Sequence, residues 1–216
     1  MSAPIEVVLG SASPARLAVL RRAGLDPRVL VSGIDEDALL TELADTEPAE
    51  VVSRLAAAKA DAVVAEVLAQ RAHQPAPLTD TVVLSCDSML LHGGELTGKP
   101  HTVDAAAAQW RRLRGSDAQL LTGHCAVRVS ELGHTAAATD TASTVIRFGD
   151  VSDAEIDAYV ATGEPLEVAG AFTLDGLGGW FIDAIDGDPS SVIGIGLPTV
   201  RRLLGHLGVD ITDLWT

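Results

Sequence analysis

The sequence predicts an α/β fold, on three observations. Short β-rich runs alternate with stretches whose apolar residues recur at helical spacing. The length, 216 residues, fits one compact α/β domain or two small lobes at about 150 residues per domain. The composition, 47% hydrophobic and 21% charged, is that of a globular chain able to build its own core. Mean hydropathy is +0.27. Even so, every apolar run is cut by a charge, Gly or Pro well before the roughly 20 residues a bilayer span needs, so no membrane association is expected. The opening MSAPIEVVLG has neither a basic head nor a long apolar run, which points away from a secretory or transit peptide and towards the cytoplasm.

Taken in order, IEVVLG (5–10) is a short strand that leads into SASPARLAVLRRAG (11–24). Ser13 is placed to cap a helix, Pro14 fits its first turn, Leu17, Leu20 and Arg21 follow at helical spacing, and Gly24 ends it. A helix start therefore faces the C-terminal end of a strand. Its free amides, the hydroxyls of Ser11 and Ser13 and the Arg16 guanidinium form either a phosphate cradle or an ordinary capped turn. PRVLVSG (27–33) is a second strand, and the acidic cluster Asp35, Glu36, Asp37 after it reads as a solvated loop. From Pro48 a long helix runs to about Gln70, with Val51, Leu55, Ala58 and Ala62 on one stripe and Lys59 beside it. RAHQPAPLTD (71–80) reads as a surface loop, not a domain boundary.

TVVLSCDSMLL (81–91) is a central strand ending in Cys86, Asp87 and Ser88. An acid at the end of a buried strand either caps a turn or presents a base or metal ligand at the sheet edge. In GELTGKP (94–100), Gly98 and Pro100 flank Lys99, the one allowing close backbone approach and the other stiffening the loop. Thr102 caps a helix carrying Trp110 and Leu113; residues 120–130 and 141–149 pair as strands across a polar loop. Ser152 and Glu155 form a capping box for a helix through Tyr159 that stops at Gly163. Residues 164–198 are a Gly-rich strand-and-turn region, and a final helix carries Arg201, Leu203 and Leu204. No repeat or low-complexity tract interrupts the chain, which reads as a single domain over 1–216.

Fifteen cationic and thirty acidic residues give a net charge of −15, so bulk nucleic-acid binding is unfavourable and any anionic ligand needs a local device to hold it. Of the fifteen cations, thirteen are arginine and only Lys59 and Lys99 are lysine. A retained lysine among arginines suggests that a compact ammonium is wanted, as beside a phosphate oxygen. Cys86 and Cys125 are too few for a disulfide framework and read as buried small hydrophobes. A cysteine nucleophile paired with His124 is disfavoured, because adjacent residues of a strand point to opposite faces. The six histidines show no zinc spacing.

SASPARL, Asp35-Glu36, Lys59 within RLAAAKA, Asp87 within SCDSM, GKP, and GEPLEVAGAF followed by GLP together resemble the Maf family over nearly the whole chain. The resemblance implies a house-cleaning pyrophosphatase that cuts a nucleoside triphosphate to the monophosphate and pyrophosphate. It also implies an elongated, two-lobed mixed-sheet body around a central cleft, like the inosine triphosphate pyrophosphatases, and a homodimer. Carried over residue by residue, it assigns Ser11, Ser13 and Arg16 to the phosphates and Glu36, Lys59, Asp87 and Lys99 to metal and catalysis, with Asp87 as proton acceptor. Ser88 and Asp175 stand at positions tied to base choice, each departing from a residue common in the family. Ala15 stands where the family usually has the first of two arginines.

The residue chemistry agrees with such a reaction. Mg²⁺ or Mn²⁺ prefers one or two carboxylates plus water and phosphate oxygens, the kind of site Glu36 and Asp87 supply. Lys59 and Lys99 then meet charge developing on phosphate oxygens. A second class stays open: a nucleotide-binding regulator of division or stress that hydrolyses little or nothing, for which the loss of an arginine at Ala15 is the motive.

Overall fold

The computed structural model describes residues 5–73 and 79–216. The opening four residues and the middle of the 71–80 segment, both part of the sequence reading, lie outside the described residues. The chain is mixed α/β. Its elements are β1 (Glu6–Leu9), α1 (Pro14–Arg22), β2 (Arg28–Val29), α2 (Glu36–Glu42), α3 (Pro48–Arg71), β3 (Thr81–His92), β4 (Glu95–Thr97) and α4 (Val103–Leu113). There follow β5 (Asp117–Val129), β6 (Thr135–Phe148), α5 (Asp153–Ala161), β7 (Ile182–Asp186), α6 (Pro189–Ile193) and α7 (Leu197–His206). Strands pair in the order β2-β1-β3-β5-β6-β7, with β4 on β3. Among the described residues no helix is long and apolar enough to cross a membrane.

Two compact units divide the chain. The first comprises residues up to Asp87, Gly123–Thr141 and Gly194–Thr216; the second comprises Ser88–Thr122 and Ala142–Ile193. In the first, β1 pairs in parallel with both β2 and β3, in the register Val8↔Arg28 and Leu9↔Leu84. Parallel neighbours need long crossovers, and α1 and α3 lie in those connections. Val63, Val64 and Val67 of α3 pack with Val8, Val83, Cys125, Val127 and Val129 of the sheet. Because β1 ends at Leu9 opposite Leu84, the residues after it, Gly10 and Ser11, come off the sheet beside Ser85–Asp87; Gly10 N donates to Leu84 O at 2.8 Å. Parallel pairing thus delivers the turn before α1, at the C-terminal end of β1, to the middle of β3 beside Asp87, and the carboxyl end of a parallel strand is where α/β sheets place ligands.

The second unit is built on aromatics. All three phenylalanines, the sole tyrosine and Trp110 lie in it. Trp110 meets Phe148, Tyr159 and Phe181 edge-on at 5.4, 5.4 and 5.9 Å, and its Nε1 donates to Ala171 O at 2.7 Å. That bond satisfies the one polar atom of a ring with no exposed surface.

Several sequence expectations hold at the level of caps. Ser13 caps α1, Thr102 caps α4, and Ser152 with Glu155 forms a full capping box on α5. Several details differ, the second strand among them, which is expected over 27–33 and spans only Arg28–Val29. The acidic cluster is not a loop: Asp35 Oδ1 accepts from Ala38 N at 3.0 Å and starts α2, with Glu36 in its first turn. β3 does not end at Asp87 but runs to His92, because β4 folds back on it and pairs Leu90 with Thr97 and His92 with Glu95. β6 begins at Thr135, ahead of the expected residue 141, since Ser130 and His134 close a tight turn through Ser130 N to His134 O at 2.9 Å. The 164–198 region is less extended than expected: it holds 3-10 turns at Glu164–Glu167, Ala169–Ala171 and Leu177–Phe181 around the strand β7 and the short α6.

Candidate active site

Lys59 falls on the inner stripe of α3, between Leu55 and Val63 one turn to either side, and is buried with them. A buried ammonium is costly unless paired. Here Nζ donates to Asp87 Oδ1 at 2.5 Å and to Glu36 Oε2 at 2.8 Å. The Lys59 and Asp87 side chains are only 8% and 12% exposed, whereas Glu36 is 49% exposed and carries the group out to solvent. Asp87 therefore does not cap a turn. It sits within an extended strand, and its partner is a lysine from the crossover helix.

Two carboxylates around one ammonium leave an excess negative charge. Each gives one oxygen to Lys59, and among the described residues the second oxygen of each has no hydrogen bond. This donor set suits a hard divalent cation, which takes one or two protein carboxylates and fills its other positions with water and phosphate oxygens. No group of three or more His, Cys, Asp or Glu side chains stands together as a closed metal cage among the described residues.

The turn before α1 carries the positive counterpart. Ser11 Oγ accepts from Ser13 N at 3.2 Å and from Arg16 Nη1 at 3.1 Å, which leaves its own proton free to donate outward. Ser13 Oγ caps Arg16 N at 3.4 Å, and Arg16 Nε donates to Gly194 O at 3.3 Å. Gly194, which no sequence signal singled out, thus anchors the guanidinium over the turn. The next loop residues are held too: Gly196 N donates to Nε2 of the buried His124 at 2.9 Å.

Glu36, Lys59, Asp87, Ser11, Ser13 and Arg16 all belong to the first unit, and Lys99, Ser88 and Asp175 to the second. Lys99 Nζ stands 3.8 Å from Glu167 Oε2, half-exposed, on a loop tied down by Gly170 N to Gly98 O and His101 N to Leu166 O. Glu167 also meets His101 Nδ1 at 3.3 Å. Ser88 Oγ shares a hydrogen bond of 3.0 Å with Thr122 Oγ1. Asp175 is exposed, without a hydrogen bond or ion pair among the described residues.

Both cysteines are buried, as the sequence suggested. Burial pushes the Cys86 thiol up, against the pull of Arg16, and pushes Cys125 up to about 11. Neither is a thiolate at neutral pH, and thiolate is the nucleophilic form.

Residues 6–207 match the family described as Maf-like protein. The chain belongs to the Maf-like family. Among curated relatives of this Maf-like chain, a protein of Nocardia farcinica is 56% identical over 97% of this chain and 96% of its own length. Another, from Rhodococcus jostii, is 57% identical over 96% of this chain and 95% of its own. A third, from Saccharopolyspora erythraea, is 55% identical over 96% of each. All three bear the name nucleoside triphosphate pyrophosphatase.

Proposed function

We propose that this chain hydrolyses nucleoside triphosphates, canonical or modified, at the α-phosphorus, releasing the nucleoside monophosphate and pyrophosphate. The observation that carries the reading is the buried Lys59 shared by Asp87 and Glu36, in the same unit as a capped helix start furnished with Ser11, Ser13 and Arg16. Relatives more than half identical over nearly their whole length, and named for that activity, support it.

In this reading the outer phosphates lie on the turn before α1, where the Ser11 hydroxyl and Arg16 donate to their oxygens. Glu36 and Asp87 would hold Mg²⁺ or Mn²⁺, which when bound would neutralise phosphate charge and lower the pKa of water. Asp87 accepts the proton of the attacking water, whose oxygen forms the new bond to phosphorus while the bond from phosphorus to the pyrophosphate oxygen breaks. Lys59 holds Asp87 in place through its ammonium hydrogen bond, and Lys99 offers a compact charge to the nonbridging oxygens. Ser88 and Asp175 meet the base. The family resemblance extends the reading to a house-cleaning role, to a homodimer, and to a body like that of the inosine triphosphate pyrophosphatases.

The test is pyrophosphate release from a panel of canonical and modified triphosphates, with Mg²⁺ or Mn²⁺ and again with a chelator. Equimolar monophosphate and pyrophosphate, abolished by the chelator, is the expected result. Tight nucleotide binding without release would overturn it in favour of the regulator.

A further inference from the structure

Glu164, which the proposed chemistry does not use, is the most heavily bonded carboxylate of the second unit. Its Oε1 accepts from Thr173 Oγ1 at 2.5 Å, Gly178 N at 3.0 Å and Tyr159 Oη at 3.1 Å, and its Oε2 accepts from Leu177 N at 3.0 Å. Three of these four donors belong to one loop, Thr173–Gly178. A carboxylate that gathers hydroxyls and backbone amides in this way fixes the backbone that supplies them. Burial works against the charge and is the largest single influence, but the donors together outweigh it and hold the carboxyl below its ordinary value.

Glycines in the loop are shaped to this carboxylate. A Cβ on Gly176 would stand 2.7 Å from Thr173 Oγ1 and 2.8 and 2.9 Å from the two Glu164 oxygens. One on Gly178 would stand 2.5 Å from Tyr159 Oη. From the other side, Tyr159 is locked into the aromatic core against Trp110 and Phe181. The result is an exposed loop tip with an over-determined backbone, and at that tip is Asp175, charged and without a partner among the described residues. Ordering a loop is entropically costly, and a stiff loop that leaves its one carboxylate free is built to present that group.

We propose that Glu164 is a positioning residue for substrate selection: it fixes the Thr173–Gly178 loop so that Asp175 is offered to the nucleoside part of the substrate in one place. The inference rests on the pyrophosphatase reading and adds to it a residue that acts through another. Its effect falls on discrimination between bases and on KM, more than on kcat.

The test compares the full-length wild type with Glu164→Gln, Asp175→Asn and the double variant on ATP, GTP, CTP, UTP and dTTP with saturating Mg²⁺. Circular dichroism and thermal melting establish that each variant is folded. Glu164→Gln keeps the size of the side chain but turns an amide NH₂ towards donors. It is expected to change the kcat/KM ratio between the best and second-best base at least about threefold, with KM rising more than kcat falls. The double variant is expected to show the ratio of Asp175→Asn alone, because the two residues act in series. If Glu164→Gln does not fold, Gly176→Ala, which pushes the loop off the carboxylate, carries the same expectation. A folded variant with the wild-type base ratio, or effects that simply add in the double variant, would overturn the inference while leaving the pyrophosphatase reading in place. No pyrophosphate release by the wild type from any triphosphate would overturn both.

Discussion

Lys59 is buried on a helix stripe among valines and leucine, and its ammonium is shared by two acids, so its substitution separates stability from catalysis. Lys59→Met leaves the Asp87 carboxylate buried without its counter-charge, a change that costs about 3–5 kcal/mol for a pair this enclosed; urea denaturation would register it as a lower midpoint. Asp87→Asn is milder for the fold, since an amide oxygen still accepts from Nζ, but it removes the proton acceptor. Turnover is expected to fall roughly 10²-fold or more, and near-wild-type release of pyrophosphate by the folded variant would refute the role. Lys99 is different in kind. At half exposure, Lys99→Arg is expected to change stability by less than about 0.5 kcal/mol, and yet to lower activity markedly, because a planar guanidinium does not replace a compact ammonium. Unchanged kinetics would return Lys99 to the status of an ordinary surface charge. The sequence pointed to both lysines through their rarity among arginines. It could not show that Glu36 reaches Lys59, because the acids of Asp35-Glu36-Asp37 look alike until Asp35 is spent as a cap and the first helical turn aims its neighbour. Gly194 was invisible for a simpler reason: its contribution is a backbone carbonyl, which every residue has.

At the scale of elements, local chemistry was legible and long-range pairing was not. Caps at Ser13, Thr102 and Ser152 are read from side chains within three residues of their donors. The extension of β3 beyond Asp87 depends on β4 folding back, and the 3-10 turn at Leu177–Phe181 starts from amides that a carboxylate thirteen and fourteen residues earlier collects. No periodicity encodes either. The junction of β1, β3 and α3 makes a sharper case. A Cβ on Gly10 would lie 2.2 Å from Ser85 Oγ and 3.2 Å from Val63 Cγ2, and that same Ser85 Oγ is buried with no hydrogen-bond partner among the described residues. Gly10→Ala is expected to destabilise by about 1–3 kcal/mol through overpacking. Ser85→Ala alone is expected to be neutral or mildly stabilising, since it removes an unsatisfied hydroxyl. In combination the second should recover most of the loss, a coupling that a double-mutant cycle in urea measures directly. Strict additivity would show that the strain falls on Val63 instead.

For the molecule as a whole, the excess of acids over bases sets how the fold responds to acid. Among the described residues, four carboxyls are held below their ordinary values in the native state. Asp80 is lowered first by the Arg128 guanidinium and further by the Glu131 amide, Glu155 by the Ser152 cap, Glu164 by its donors against burial, and Asp210 by the Thr212 amide and hydroxyl. A depressed carboxyl means that the unfolded chain binds more protons than the native one, so stability rises with pH through that window. The contribution is complete above the unfolded values, 4.5 for the glutamates and 3.8 for the aspartates, and is lost as pH falls through the lower native ones. Protonating the other acids meanwhile relieves the repulsion of a chain at −15, so the net acid sensitivity is a contest between paired and unpaired carboxylates. Asp80 is the member to test. It joins the start of β3 to β5 and to the turn beyond it, through Arg128 Nε at 2.9 Å, Arg128 Nη2 at 2.5 Å and Glu131 N at 2.8 Å, with only 15% of its side chain exposed. Asp80→Asn is expected to cost about 1.5–3 kcal/mol at pH 7, the range for a hydrogen bond to a charged group. Its deficit should shrink as the pH is lowered below 3.8, because the wild type then loses the same charge. Urea midpoints of wild type and variant, followed from pH 7 down to pH 3, check this by convergence; a constant gap would mean that Asp80 acts through shape rather than charge.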